Sequence, residues 1–156
     1  MHQKTAMEVG CDRAAADVGA AAHVARGLKS MGMTSHLFGV VGDDSAGLSI
    51  IESLEAEGVS TDGIAIVEDR ITTVKTRMLA SRESLIQEEQ LLLRWDIEED
   101  APVPLEASDA LYEQAATDLS EAAALIVSDY GQGVVTDQGS ELMFNKAKDL
   151  KIPVIA

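Results

Sequence analysis

Residues 36–47 read His36-Leu37-Phe38-Gly39-Val40-Val41-Gly42-Asp43-Asp44-Ser45-Ala46-Gly47, and this stretch decides the fold class. A short apolar run with turn signals on both sides is a buried strand. Gly42 ends it, and Asp43 and Asp44 suit a helix start, where a carboxylate accepts from free amides and meets the positive end of the helix dipole. The helix predicted there covers residues 45–57, with Leu48, Ile51 and Leu54 as its apolar stripe and Gly58 as its stop. Upstream, residues 18–31 predict another helix, with Val24, Ala25, Leu28 and Met31 on one face and Gly32 after it. Downstream, residues 64–67 are the next strand. Beyond an interruption at 72–104 come a helix over 106–119, a strand over 123–127 and a loop over 128–135. Thr136 then caps a helix running to about residue 149, and a strand covers 153–156. Strands separated by helices of this length imply right-handed βαβ units: an α/β fold with a parallel sheet and helices on both faces.

The interruption has a different pattern. Residues 72–80 and 90–96 alternate as an antiparallel pair with one exposed face would. Strict alternation puts Lys75, Arg77 and Leu79 on one face, opposite Val74, Thr76 and Met78. In the partner strand, Gln90, Leu92, Arg94 and Asp96 share a face, opposite Leu91, Leu93 and Trp95. Lys75 and Arg77 then lie about 7 Å apart. A projecting antiparallel hairpin is expected, with one apolar side and one side that gathers three cations, an amide and a carboxylate. Two readings stand. The cations form an anion site, in which arginine offers a fork and lysine a point charge, or the face is solvated and its charges pair across the strands.

That choice matters because the chain is acidic. It has 27 acids against 12 bases, a formal charge of −15. Such a field repels phosphate backbones and anionic lipid, which argues against nucleic-acid or membrane-surface binding. A local cation cluster can still hold a small anion. Hydrophobic residues make up 46% of the 156-residue chain and aromatics only 3%, so the core is built from Ala, Leu, Ile, Val and Met. The lone Cys11 excludes an internal disulfide and fits a reducing compartment. No apolar run follows the N-terminus as in a signal peptide, and none approaches the roughly 20 residues of a membrane helix. A cytoplasmic location is expected.

Three further features lie where α/β sheets bind ligands or open helices. Ser128-Asp129-Tyr130-Gly131-Gln132-Gly133 follows an apolar strand at its carboxyl end; Asp129 could accept from sugar hydroxyls, or pair locally while the glycines turn the chain. Asp43 and Asp44 are explained by capping. Gly19-Ala20-Ala21-Ala22-His23-Val24-Ala25 opens a helix with small residues that let a ligand approach. His23 would project from its first turn, as a ligand contact or as a capping or packing residue. The three histidines show no metal-ligand spacing with Cys11 or paired carboxylates, and no metal site is expected. No Walker-type loop, no dinucleotide G-x-G-x-x-G after a first strand and no G-x-S-x-G elbow occurs.

In this order, the segments resemble the ribokinase-like (PfkB-type) carbohydrate kinases, and within them the heptose 7-phosphate kinase branch of ADP-heptose and lipopolysaccharide core synthesis. Gly19–Gly32 resembles the family's G-G-A-A-N-V-A helix, Gly39–Gly47 its G-V-V-G-D-D-x-x-G, and Glu57–Thr61 its E-G-V-x-T. Thr72–Arg77 with Gln90–Asp96 resembles T-T-V-K-T-R and Q-Q-L-L-R-x-D, and Ser128–Val134 resembles S-D-Y-G-K-G-V. The likeness implies a phosphorylated heptose as acceptor and Mg-ATP as donor. It implies that Gly19, His23, Lys75, Arg77, Gln90 and Asp129 bind the substrate, and that the hairpin is a lid and dimer clasp, pairing with a second copy or a partner chain. Ala20, His23 and Gln132 stand where the family has glycine, asparagine and lysine. The family's downstream G-A-G-D motif, with its catalytic base and most of its ATP pocket, has no counterpart in residues 1–156. The chain is therefore expected to hold the sugar-binding part of a kinase domain, with no catalytic residue of its own, and not to transfer phosphoryl groups alone. The alternative is a non-catalytic remnant that binds sugar phosphates or dimerises.

Overall fold

The computed structural model describes residues 17–81 and 89–156; Cys11 and the hairpin residues 82–88 lie outside them. The elements run α1 (Ala20–Ser30), β1 (His36–Gly42), α2 (Ser45–Ala56), β2 (Ser60–Val67), β3 (Val74–Ser81), β4 (Glu89–Ile97), α3 (Leu105–Asp118), a 3-10 turn (Leu119–Glu121), β5 (Leu125–Ile126), α4 (Asp137–Leu150) and β6 (Val154–Ile155). The expected alternation is present. β2 starts earlier than its apolar run suggests, because pairing with β1 reaches back to Ser60, opposite His36. β5 and β6 are shorter than expected, two residues each.

β1 pairs with β2 in parallel, β5 with β6 in parallel, and β3 with β4 antiparallel. The parallel strands thus stand as two pairs. They run in the same direction. His36, which opens β1, lies 3.1 Å from Asp118, upstream of β5. Beyond the other end of β1, Arg70 donates to the carbonyl of Gln132, downstream of β5.

Side-chain alternation on β1 explains the two layers of helices. Leu37 and Ile64 pack with Val18, Ala22 and Ala25 beside α1, and with Ile50 and Leu54 of α2. Phe38, on the other face, packs with Ala115 and Leu119 of the α3 segment, Met143 and Ala147 of α4, and Leu125 of β5. The expected helix stripes shift by about a residue. Leu54 is wholly buried, but Leu48 and Met31 are exposed. Gly47 lies in the tight contact instead, its amide capped by Asp44, and Met31 falls just past the end of α1. Among the described residues, no helix is long and apolar enough to cross a membrane.

Candidate functional site

The described part of the hairpin holds a register shift that strict alternation hides. Lys75 pairs with Asp96, Thr76 with Trp95, Arg77 with Arg94 and Met78 with Leu93; a bulge follows, after which Leu79 pairs with Leu91 and Ala80 with Gln90. The extra residue reverses the parity of the end of β4. Leu91 therefore joins the face of Lys75, Arg77 and Leu79, and Gln90 leaves it. The expectation that Gln90, Arg94 and Asp96 share one face is corrected on this point.

Arg77 and Arg94 stand directly opposite, a placement that costs free energy unless a charge is neutralised. Arg94 solves this by turning to Asp96, with Nε 3.0 Å from Oδ1 and Nη2 2.7 Å from Oδ2. That fork holds the Asp96 carboxyl below the usual carboxylate range and raises the Arg94 guanidinium. Lys75 is engaged too, bonded to Glu98 and 3.6 Å from Asp96. Among the described residues, Arg77 has no carboxylate partner. Among the described residues, the three cations of the sequence pattern thus leave one, Arg77, outside an ion pair.

Between the strand pairs lies a cavity of about 1290 Å³. The edges of β1 and β5 form its sides, and α1 and α3 wall it. Lys75 and Arg77 reach it from the hairpin, Asp129 from the loop after β5, and Gly19 from the start of α1. Four of the six residues expected to bind substrate thus line one cavity. His23 is exposed and lies outside the lining, one helical turn along from Gly19; Gln90 is also exposed and outside it. Asp129 accepts from the Gly131 amide at 2.8 Å through Oδ1. Local pairing and ligand contact are compatible here, because the second carboxylate oxygen is not used in that turn.

Sequence reading missed the residues that fix this geometry. Thr72, buried, donates its amide to Asp44 Oδ2 at 2.8 Å and its hydroxyl accepts from the Gly42 amide at 2.8 Å. Asp44 Oδ1 accepts from Gly47 at 2.8 Å and caps α2. These amide bonds, with Thr72 foremost, hold the Asp44 carboxyl below its ordinary range. One carboxylate thereby joins the helix start to the foot of the hairpin. Arg70, Thr73 and Gln132 also line the cavity, and no periodicity or spacing marks them. Among the described residues, no group of three or more His, Cys, Asp or Glu side chains could hold a metal ion.

The model of the pfkB family of carbohydrate kinases matches residues 18–151. The chain belongs to this family. The Bifunctional protein HldE of Helicobacter pylori strain J99 is 39% identical over 71 residues, 46% of this chain and 15% of that protein. The protein of the same name from Magnetococcus marinus is 33% identical over 96 residues, 62% of this chain and 18% of that one. The matched stretches span less than a fifth of either relative. A Burkholderia thailandensis nucleoside kinase, solved with inosine, aligns over 86% of this chain and 38% of its own with a TM-score of 0.50 and 16% identity. That likeness concerns the fold, and it supports the ribokinase-like assignment.

Proposed function

We propose that this chain is the sugar-phosphate-binding part of a pfkB kinase domain and that its acceptor is a phosphorylated heptose. The observation that carries the reading is that Arg77, Lys75, Asp129 and Gly19 line the same cavity in a chain of net charge −15. Arg77 is the principal anion contact, since Lys75 already serves Glu98 and Asp96. Asp129 takes the sugar hydroxyls, which a carboxylate can accept from in pairs. Gly19 and the small residues after it let the sugar approach the backbone. In the complete domain, ATP with Mg2+ supplies the transferred phosphoryl group. The residues of this chain bind and orient the acceptor. Relatives named HldE and the paired T-T-V-K-T-R and S-D-Y-G segments support heptose over other sugars.

Calorimetric titration tests the reading, with heptose 7-phosphate and unphosphorylated heptose as separate ligands. The phosphorylated sugar should bind more tightly. Arg77→Ala should weaken it by roughly ten- to a hundredfold, the loss of a charge-assisted contact of about 1.5–3 kcal/mol, and leave the unphosphorylated sugar unchanged. Equal affinity of wild type and Arg77→Ala for heptose 7-phosphate, with circular dichroism unaltered, returns the hairpin cations to a solvated face.

A second reading is favoured by the opposite side of the hairpin. Leu93 and Trp95 are 51% and 62% exposed, and Met78 lies beside them across the register. An exposed apolar strand face of this kind suits self-association, and we propose that the hairpin pairs with a second copy. Trp95→Lys should shift sedimentation equilibrium toward monomer; an unchanged mass would reject the pairing.

A further inference from the structure

A two-stranded ribbon is marginally stable alone, so the angle at which this hairpin stands over the cavity must be set at its feet. Arg70, in the turn between β2 and β3, spreads its guanidinium over backbone carbonyls from two other segments. Nη1 donates to Ala101 at 3.0 Å; Nη2 donates to Gln132 at 2.6 Å and, at a longer 3.4 Å, to Glu99. Thr73 then donates its hydroxyl to the side-chain oxygen of Gln132 at 2.9 Å. On the far side, the Val103 amide donates to Gly133 at 3.4 Å. Gly133 has φ 73°, and a Cβ there would stand 2.6 Å from the Ala101 carbonyl. Both feet of the hairpin, residues 70–73 and 99–103, are thus fastened to the loop that carries Asp129. Among the described residues, Arg70 forms no ion pair. In so acidic a chain this cation donates to three backbone carbonyls, a task that suits the planar fork of arginine and that a point charge performs poorly.

We propose that Arg70 is a positioning residue: together with Thr73 and Gln132 it fixes the span between Arg77 on the hairpin and Asp129 on the loop, and so matches the site to the length of a phosphorylated sugar. The proposal rests on the sugar-phosphate reading above. It also explains Gln132, which stands where related kinases have lysine: its amide oxygen is the acceptor for Thr73, and an ammonium group accepts nothing.

The test has two arms on the full chain. In the first, nitroxide labels are placed at Thr76→Cys and Asp137→Cys in a Cys11→Ser background, and their distance distribution is measured by pulsed electron resonance without ligand. Arg70→Met keeps the apolar stem and should broaden the distribution about twofold; Arg70→Lys should fall between it and wild type. In the second arm, Arg70→Met should weaken heptose 7-phosphate by about tenfold and leave unphosphorylated heptose unchanged. Added to Arg77→Ala, it should cost less than about twofold more, because a hairpin without its anion contact has nothing left to position. An unaltered distance distribution overturns the clamp whatever the ligand does. A broadened distribution with unchanged affinity, or full additivity with Arg77→Ala, overturns the positioning role. If wild type ignores heptose 7-phosphate, the sugar-phosphate reading and the role for that ligand fall together, and the label arm still decides whether Arg70 holds the hairpin.

Discussion

Replacing Asp44 by alanine should unfasten two elements at once. One carboxylate oxygen caps α2 through the Gly47 amide, and the other receives the Thr72 amide, each at 2.8 Å. Loss of a helix cap costs about 0.5–2 kcal/mol. Loss of a charge-assisted bond costs about 1.5–3 kcal/mol, and here the orphaned Thr72 amide belongs to a buried residue. Water reaches part of this half-buried site, so a total of about 2–4 kcal/mol is expected rather than the upper sum. Urea denaturation followed by circular dichroism reads it as a lower midpoint at unchanged slope. Asp44→Asn should keep one acceptor oxygen and most of the cap, and recover part of the loss. The pH dependence has a definite sign. The folded-state carboxyl lies below its ordinary 3.8, so its contribution is complete above that pH and fades as pH falls through the lower folded value. The gap between wild type and Asp44→Asn should therefore be steady near neutrality and close as pH falls below the ordinary aspartate range. An Asp44→Ala loss below about 0.5 kcal/mol, within the range of ordinary surface substitutions, would refute the two-point anchor.

Three further outcomes follow from particular residues. Ala20 opens α1 at φ 50°, a left-handed conformation that suits glycine, so Ala20→Gly should raise the urea midpoint by the equivalent of about 1 kcal/mol; a lower midpoint would reject strain at that position. Gly47→Ala should destabilise by about 1–3 kcal/mol, because an added Cβ would collide with the Gly42 carbonyl and crowd Thr72 Oγ1 at 3.0 Å; unchanged thermal unfolding would contradict the packing described. Asp129→Asn should weaken both heptose and heptose 7-phosphate, with little dependence on salt, whereas the Arg77 contribution should shrink as salt rises; titration at two ionic strengths separates them.

Much of this architecture was legible in one dimension. The apolar run at 36–41 and the acidic cap after it specify a strand feeding a helix, and Asp44 does cap α2. Period-2 alternation identified β3 and β4, and it placed Lys75 and Arg77 together because the bulge lies beyond them, between Met78 and Leu79. Those are local properties, fixed by neighbours along the chain. What alternation could not supply was the bulge itself, since one unpaired residue leaves no mark on an already apolar Leu91-Leu92-Leu93 run. It moved Gln90 away from the cations, and helix geometry likewise left His23 outside the cavity lining. Nor could spacing show that Arg94 and Lys75 would be taken up by Asp96 and Glu98, leaving Arg77 without a carboxylate partner among the described residues. The Arg70–Gln132 contact spans 62 positions in sequence, and the Asp44–Thr72 bond spans 28. The sequence by itself determined which segments are strands and helices and which cations share a face, because each of these follows from periodicity. Only the tertiary structure decided which charges remain available and what holds the hairpin over Asp129, because both depend on groups that meet only after the chain has closed its loops.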